Sequence, residues 1–252
     1  MADTIDEVIS ELAAIVQLEE RRYSAAGFFP ALYRRVTIEV KKAIQASAFQ
    51  DNQRMERLDV VFANRYIDAY NRFQNNEQPT QSWKFAFEQT ANSKLTTLQH
   101  LLLGMNAHIS LDLGIAAAAV CDAENPLSLK EDFYTINHIL GSLINDTQRR
   151  LTRIFGPLGV IDHLLGPIDE SISLFSIGYA RDKAWAQTLE LLLGGQVSYD
   201  EQIMTRDRSV AGFGKALAEP TKRCIRILLL LVRVLERGNV SDRIRILNEM
   251  SR

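Results

Sequence analysis

Apolar and polar positions alternate with the period of an α-helix along nearly the whole chain, and Val, Ile and Thr never settle into the every-other-residue rhythm of a strand. Pro and Gly cluster at a few breaks: "GFFP", "NNEQPTQ", "ENPLS", "FGPLG", "LLGPIDE" and "LLLGGQ". Between them the periodicity predicts helices near residues 4–22, 30–48, 52–75, 81–91, 94–122, 128–155, 170–193, 198–217, 221–237 and 240–250. Ser128 ahead of "LKED" and Thr221 ahead of "KRCIRILLLL" read as N-caps. No repeat or low-complexity linker interrupts the pattern. The expectation is one all-α domain over residues 1–252, a single-domain helical bundle of nine or ten helices.

The segment 94–122 departs from the amphipathic norm. At about 100° per residue its apolar side chains, Leu95 through Ile115, point in every direction. A helix apolar all round is enclosed on all sides or spans a membrane. This one carries Gln99, His100, Asn106, His108 and Asp112, which favours the buried centre of a bundle. Each enclosed polar group then needs a partner, because an unpaired one costs roughly 1–3 kcal/mol and a charge more. They point in different directions: Gln99, Asn106 and Ser110 along one stripe, His108 and Asp112 along another, His100 along a third. His100 and His108 lie roughly 12 Å apart along a straight helix, too far to share an ion unless the helix breaks, for instance at Gly104. His108 and Asp112 stand at i and i+4, roughly 6 Å apart, a spacing at which one helix can offer two ligands to one ion.

Other helices add acids. Asp59 falls among Leu58, Phe62, Tyr66 and Tyr70 on the apolar face of 52–75, and Asp182 falls beside Trp185 and Leu189 on that of 170–193, flanked by Arg181. Three buried acids on three helices resemble the interior sites of helical bundles. The structural alternative is an ion-pair network of these aspartates with Arg65 or Arg181 that holds helices in register. His138 falls on the polar side of 128–155, and neither it nor His163 reads as a site residue.

Composition narrows the class. The 252 residues are 46% hydrophobic and 24% charged with a formal net charge of −2, which gives no electrostatic case for nucleic acid or an anionic membrane. Cys121 and Cys224 sit in apolar runs and read as buried thiols, not as a disulfide framework. The amino end is acidic and amphipathic, unlike a signal peptide, and "CIRILLLLVRVL" is broken by Arg226 and Arg233 and too short to span a bilayer. No transmembrane segment and a cytoplasmic location are expected. P-loop, dinucleotide and nucleophile-elbow motifs are absent, as is the E-x-x-H of di-iron bundles.

"QHLLLGMNAHISLDLGIA", with "MERLDVVFANRYIDAY" before it and "FSIGYARDKAW" after it, resembles an uncharacterised bacterial family of unknown function that shares an H-x-L-L-G-x-N-A-H-I core, over roughly residues 28–193. That resemblance implies no established activity. The H-x3-D spacing of His108 and Asp112 also resembles zinc-dependent phospholipase C, although the further histidines of such a site are missing among four in total.

The residues together lead to an enzyme acting on a small, partly apolar substrate, by hydrolysis, isomerisation or metal-assisted oxidation. In this reading His108, Asp112 and Asp59 converge within roughly 8 Å and hold a divalent metal, Zn or Fe, or serve as base, orienter and acid. Arg181 neutralises charge, and His100, Asn106, Tyr66, Asp182 and Trp185 contact the substrate in a cavity lined by aromatics such as Phe62, Tyr66 and Trp185. The alternative is a non-catalytic module binding an apolar ligand or a protein.

Overall fold

The computed structural model describes residues 1–155, 177–194 and 197–250, which form eleven α-helices and no strand. In chain order these are α1 (Ile5–Arg21), α2 (Phe28–Gln45), α3 (Asn52–Gln74), α4 (Gln81–Gln89), α5 (Thr97–Ala107), α6 (Leu113–Val120), α7 (Lys130–Phe155), α8 (Ile177–Leu193), α9 (Tyr199–Ala218), α10 (Arg223–Leu235) and α11 (Val240–Asn248). The start of the segment expected at 170–193 lies outside the described residues. Thr4, Asp51, Thr96, Ser198 and Asn239 cap their helices by accepting a backbone N–H with the side chain, and Thr96 and Asn239 close full capping boxes. The two caps read from the sequence fail. Ser128 lies in a 3₁₀ turn, where its hydroxyl accepts from Arg54, and α10 starts after Lys222 with no side-chain cap.

α5 and α6 are one continuous rod joined by a π-helical turn, His108–Asp112. Thr97–Val120 is long and apolar enough to cross a membrane, but 72% of its most apolar window is buried inside the protein. α2, α4 and α9 surround its first half, and α3 and α8 its second. Besides a small cluster that sets Leu111 and Ile115 against Leu191 and Val210, the rod borders three larger ones. The first is an aromatic one with Phe29, Tyr33, Tyr66, Trp83 and Phe87. The second joins Leu101 to α10 and α11, and the third joins Leu113, Ala116 and Ala117 to Phe133, Ala184 and Trp185.

Close approach explains two glycines of the rod. A Cβ on Gly104 would lie 2.6–2.8 Å from three atoms of the Phe29 side chain, and one on Gly114 would meet the Ala184 carbonyl oxygen at 2.9 Å. Gly104 therefore breaks nothing; it lets α2 lie against α5. Phe29 is itself hemmed in by Tyr33, Tyr66, Trp83 and His108 and cannot step aside. Gly104→Ala is expected to cost about 1–3 kcal/mol, against the stabilisation that alanine brings to an open helix site. Chemical denaturation of the variant checks this, and an unchanged midpoint would show that the Phe29 packing yields.

The polar stripe of the rod is structural. The Gln99 amide donates to the Leu217 and Ala218 carbonyls at 3.0 and 3.2 Å, and that of Asn106 donates to Val210 O at 2.9 Å. Both pin α9 to α5. Of the cysteines expected to be buried, Cys121 is partly buried and Cys224 is exposed, because the first turn of α10 stands out from the core.

Candidate functional site

The π turn decides where the polar groups point. Leu113 N–H bonds to His108 O, an i to i+5 contact that widens the helix by one residue. His108 faces a cavity of about 260 Å³ bounded by α2, α3, α5, α7 and α8, while Asp112 faces a separate groove beside Arg65, Trp83 and Asp207. The cavity wall is almost wholly apolar, with Leu32, Val36, Leu58, Phe62, Met105 and Ile136 among its residues. Into this wall come His108, Asp59 and Arg181.

The His108 ring lies flat against Phe62, with ring centres 3.6 Å apart and planes 8° from parallel, and the edge of Tyr33 closes its other approach at 4.5 Å. Its Nδ1 stands 3.3 Å from Asp112 Oδ2, long for a charge-assisted bond. Asp112 also accepts from Arg65 Nε at 2.8 Å and from Trp83 Nε1 at 2.7 Å. A carboxylate beside Nδ1 places the ring proton there and leaves Nε2 with a bare lone pair. Nε2 is buried and has no hydrogen-bond partner. Burial lowers the His108 pKa, although Asp112 opposes that shift, so the ring is neutral near pH 7. Burial works against the Asp112 charge, but the bonds from His108 and Trp83 and the Arg65 charge outweigh it and hold the carboxyl below its ordinary range.

Asp59 behaves in the opposite way. Its Oδ2 is buried without a partner, and burial, helped by the Glu56 charge, raises its pKa from 3.8 to about 7. The unfolded carboxyl loses its proton near pH 3.8, while the folded one keeps it to about pH 7. The folded state thus binds more protons between these values, and stability falls as pH rises through them. Asp59→Asn removes the titration without changing the shape. Its stability relative to wild type is expected to climb between pH 4 and pH 7 and then level off, reaching roughly 4 kcal/mol by pH 8. Melts at pH 4, 6 and 8 measure this; a difference independent of pH would show a solvated Asp59.

Arg181 is 5% exposed. It donates from Nη2 to the Phe133 carbonyl and lies 4.5 Å over the Phe133 ring, while its Nε has no partner. Burial lowers its pKa to about 10, so it stays a cation near neutral pH.

The expected metal triad does not form. Among the described residues no three His, Cys, Asp or Glu side chains gather as ion ligands. The reason is geometric: both Asp112 oxygens are committed to Arg65, Trp83 and His108 on the face away from the cavity that Asp59 lines. The Asp112–Arg65 pair is instead the ion pair of the structural alternative. His100 sits in a different pocket with Phe28, Arg233 and Arg243, and burial, reinforced by the two arginines, lowers its pKa to about 4. Asn106 is spent on α9. Asp182, expected inside, is exposed and accepts from the Tyr134 hydroxyl at 2.9 Å. Trp185 packs on Phe133 at 5.2 Å, and Tyr66 is wholly buried behind His108; neither lines the cavity. His138 is exposed as expected, and His163 lies outside the described residues. The sequence reading missed Trp83, which anchors Asp112, and Tyr33, which closes over His108. Neither carries a local signal, because both reach the rod from other helices.

The fold and site define an all-helical protein with a histidine–aspartate pair set against an apolar cavity. The chain belongs to a family of unknown function, DUF5995, whose model matches residues 5–220, a longer span than the resemblance read from the central motif. No curated protein and no solved structure matches the chain.

Proposed function

We propose that the protein is an enzyme that performs acid–base chemistry on a small, mostly apolar substrate held in the cavity. The observation that carries this reading is the unpartnered, buried Nε2 of a His108 ring whose other nitrogen faces Asp112. A structural histidine would spend both nitrogens on the protein. Here one is left bare on a ring that lines a cavity, and leaving it so costs stability. Nε2 takes a proton from a substrate carbon next to a carbonyl, or from a water attacking an ester. Asp112 holds the ring in the right tautomer and stabilises the cation formed. Asp59, protonated up to about pH 7, returns a proton to the developing oxygen.

A non-catalytic carrier of apolar molecules is the second reading, favoured by the apolar wall alone. One experiment separates the two. Protein with ¹⁵N-labelled histidine is titrated with small apolar ketones and esters, and each compound is then incubated with the protein in D₂O and analysed by mass spectrometry. The expected result is a saturable shift of the His108 Nε2 signal together with deuterium uptake or hydrolysis. Binding with every compound returned unchanged supports the carrier, and a His108 signal that no compound moves ends both readings.

A further inference from the structure

We propose that the natural ligand is a small apolar acid with a single negative charge, its hydrocarbon body against Phe62, Val36 and Met105 and its carboxylate on Arg181. This rests on the cavity being the ligand site, and it adds the chemical class of the ligand. The argument starts from how this fold treats its other buried arginines. Arg35 and Arg150 both pair with Asp146, and Arg243 pairs with Glu236. Each enclosed guanidinium meets a carboxylate, as the cost of burying an unpaired charge demands. Arg181 is as enclosed as these, yet it has no carboxylate within ion-pair distance among the described residues. Its chain neighbour Asp182 turns outward to Tyr134. Asp59 lines the same cavity, but its Oδ2 is itself unbonded. What Arg181 has is one peptide carbonyl, one ring face and an Nε without an acceptor.

The missing anion is therefore expected from the ligand. One guanidinium balances one negative charge, so a carboxylate suits the site, whereas a phosphate dianion would leave a charge in an apolar wall. Among the described residues the wall offers no second cation. At about 260 Å³ the space falls just under the roughly 300–1,000 Å³ of common small-molecule sites, which limits the body to a short chain or a single ring.

The test compares 4-phenylbutyrate with 4-phenylbutan-1-ol, which share a body and differ in charge, by calorimetric titration of the full chain at pH 6, where Asp59 keeps its proton and the ligand acid is ionised. The acid is expected to bind at least about tenfold tighter, as a charge-assisted bond predicts. In Arg181→Met the acid should fall to the affinity of the alcohol, with the alcohol unchanged. Arg181→Lys, which keeps the charge, should keep a preference for the acid and serves if the methionine variant does not fold. Val36→Trp, which fills the cavity, should abolish binding of both. If the alcohol binds as tightly as the acid, or if Arg181→Met keeps the preference, the inference is overturned while the cavity stands as a ligand site. If neither compound binds wild type, the inference and the small-ligand reading fall together.

Discussion

Asp112→Ala is expected to lower the melting temperature by about 10 °C. Asp112 is 1% exposed and joins three elements at one point: Arg65 on α3, Trp83 on α4 and His108 on the central rod. Removing it leaves the indole N–H and the guanidinium without their acceptor and a small cavity against the aromatic cluster. Removing one partner of a buried pair typically costs about 3–5 kcal/mol, and in a chain of this size each kcal/mol is worth about 2–4 °C. Arg65 is partly solvated at 28% side-chain exposure, which places the effect toward the lower part of that range. Asp112→Asn keeps the shape and one acceptor oxygen for Trp83, and should melt between wild type and the alanine variant. Calorimetry of the three proteins decides. An alanine variant that melts with wild type would mean that Arg65 and Trp83 find other acceptors, and that the aspartate is not what joins the helices.

Much of this arrangement is legible in the sequence, for a specific reason. A helix apolar at every angle has no solvent face, so any polar residue on it is enclosed whatever its neighbours are. That argument alone locates Gln99, His100, Asn106, His108 and Asp112 in the interior, and all five are buried. Asp59 follows from its place within a strong aromatic face. The same logic misleads on α8. There the reading turns Asp182 inward beside Trp185 and Leu189, but the buried face, although it includes Trp185, runs on through Ala180, Arg181, Ala184, Gln187, Thr188 and Leu191 and leaves Asp182 outside. The partner of α8 is α6, "LGIAAAAV", whose small side chains admit a close approach. Small residues on both helices therefore define that contact, and bulk is a poor guide to it. The π turn is hidden for another reason: nothing in "HISLD" distinguishes it from an ordinary helical turn, and it is the packing around the rod that accommodates the added residue. Without it, the i, i+4 spacing of His108 and Asp112 reads as two ligands facing one ion, where the folded chain holds an acid behind a base.

His108→Gln is expected to cut turnover by about 10²–10⁴-fold on any compound that the wild type alters, with a much smaller change in binding. Glutamine has a comparable reach and can still donate to Asp112, so the fold should survive, but it offers no basic lone pair. Asp112→Asn should also lose activity, because a neutral amide no longer stabilises the imidazolium that forms when Nε2 takes a proton. The pH dependence carries the sharper test. Burial lowers the His108 pKa, so the base is already free at neutral pH and the acid limb of the profile lies below the ordinary histidine value. Asp59 must be protonated to act as the acid, and its pKa of about 7 places the alkaline limb there. The rate should peak between these limbs and fall about tenfold per pH unit on the alkaline side. In Asp59→Asn that fall should disappear along with much of the activity, since an amide can hydrogen-bond to the developing oxygen but not protonate it. A wild-type profile flat through pH 7 and 8 would remove Asp59 from the chemistry, and a His108→Gln variant of undiminished rate would remove His108.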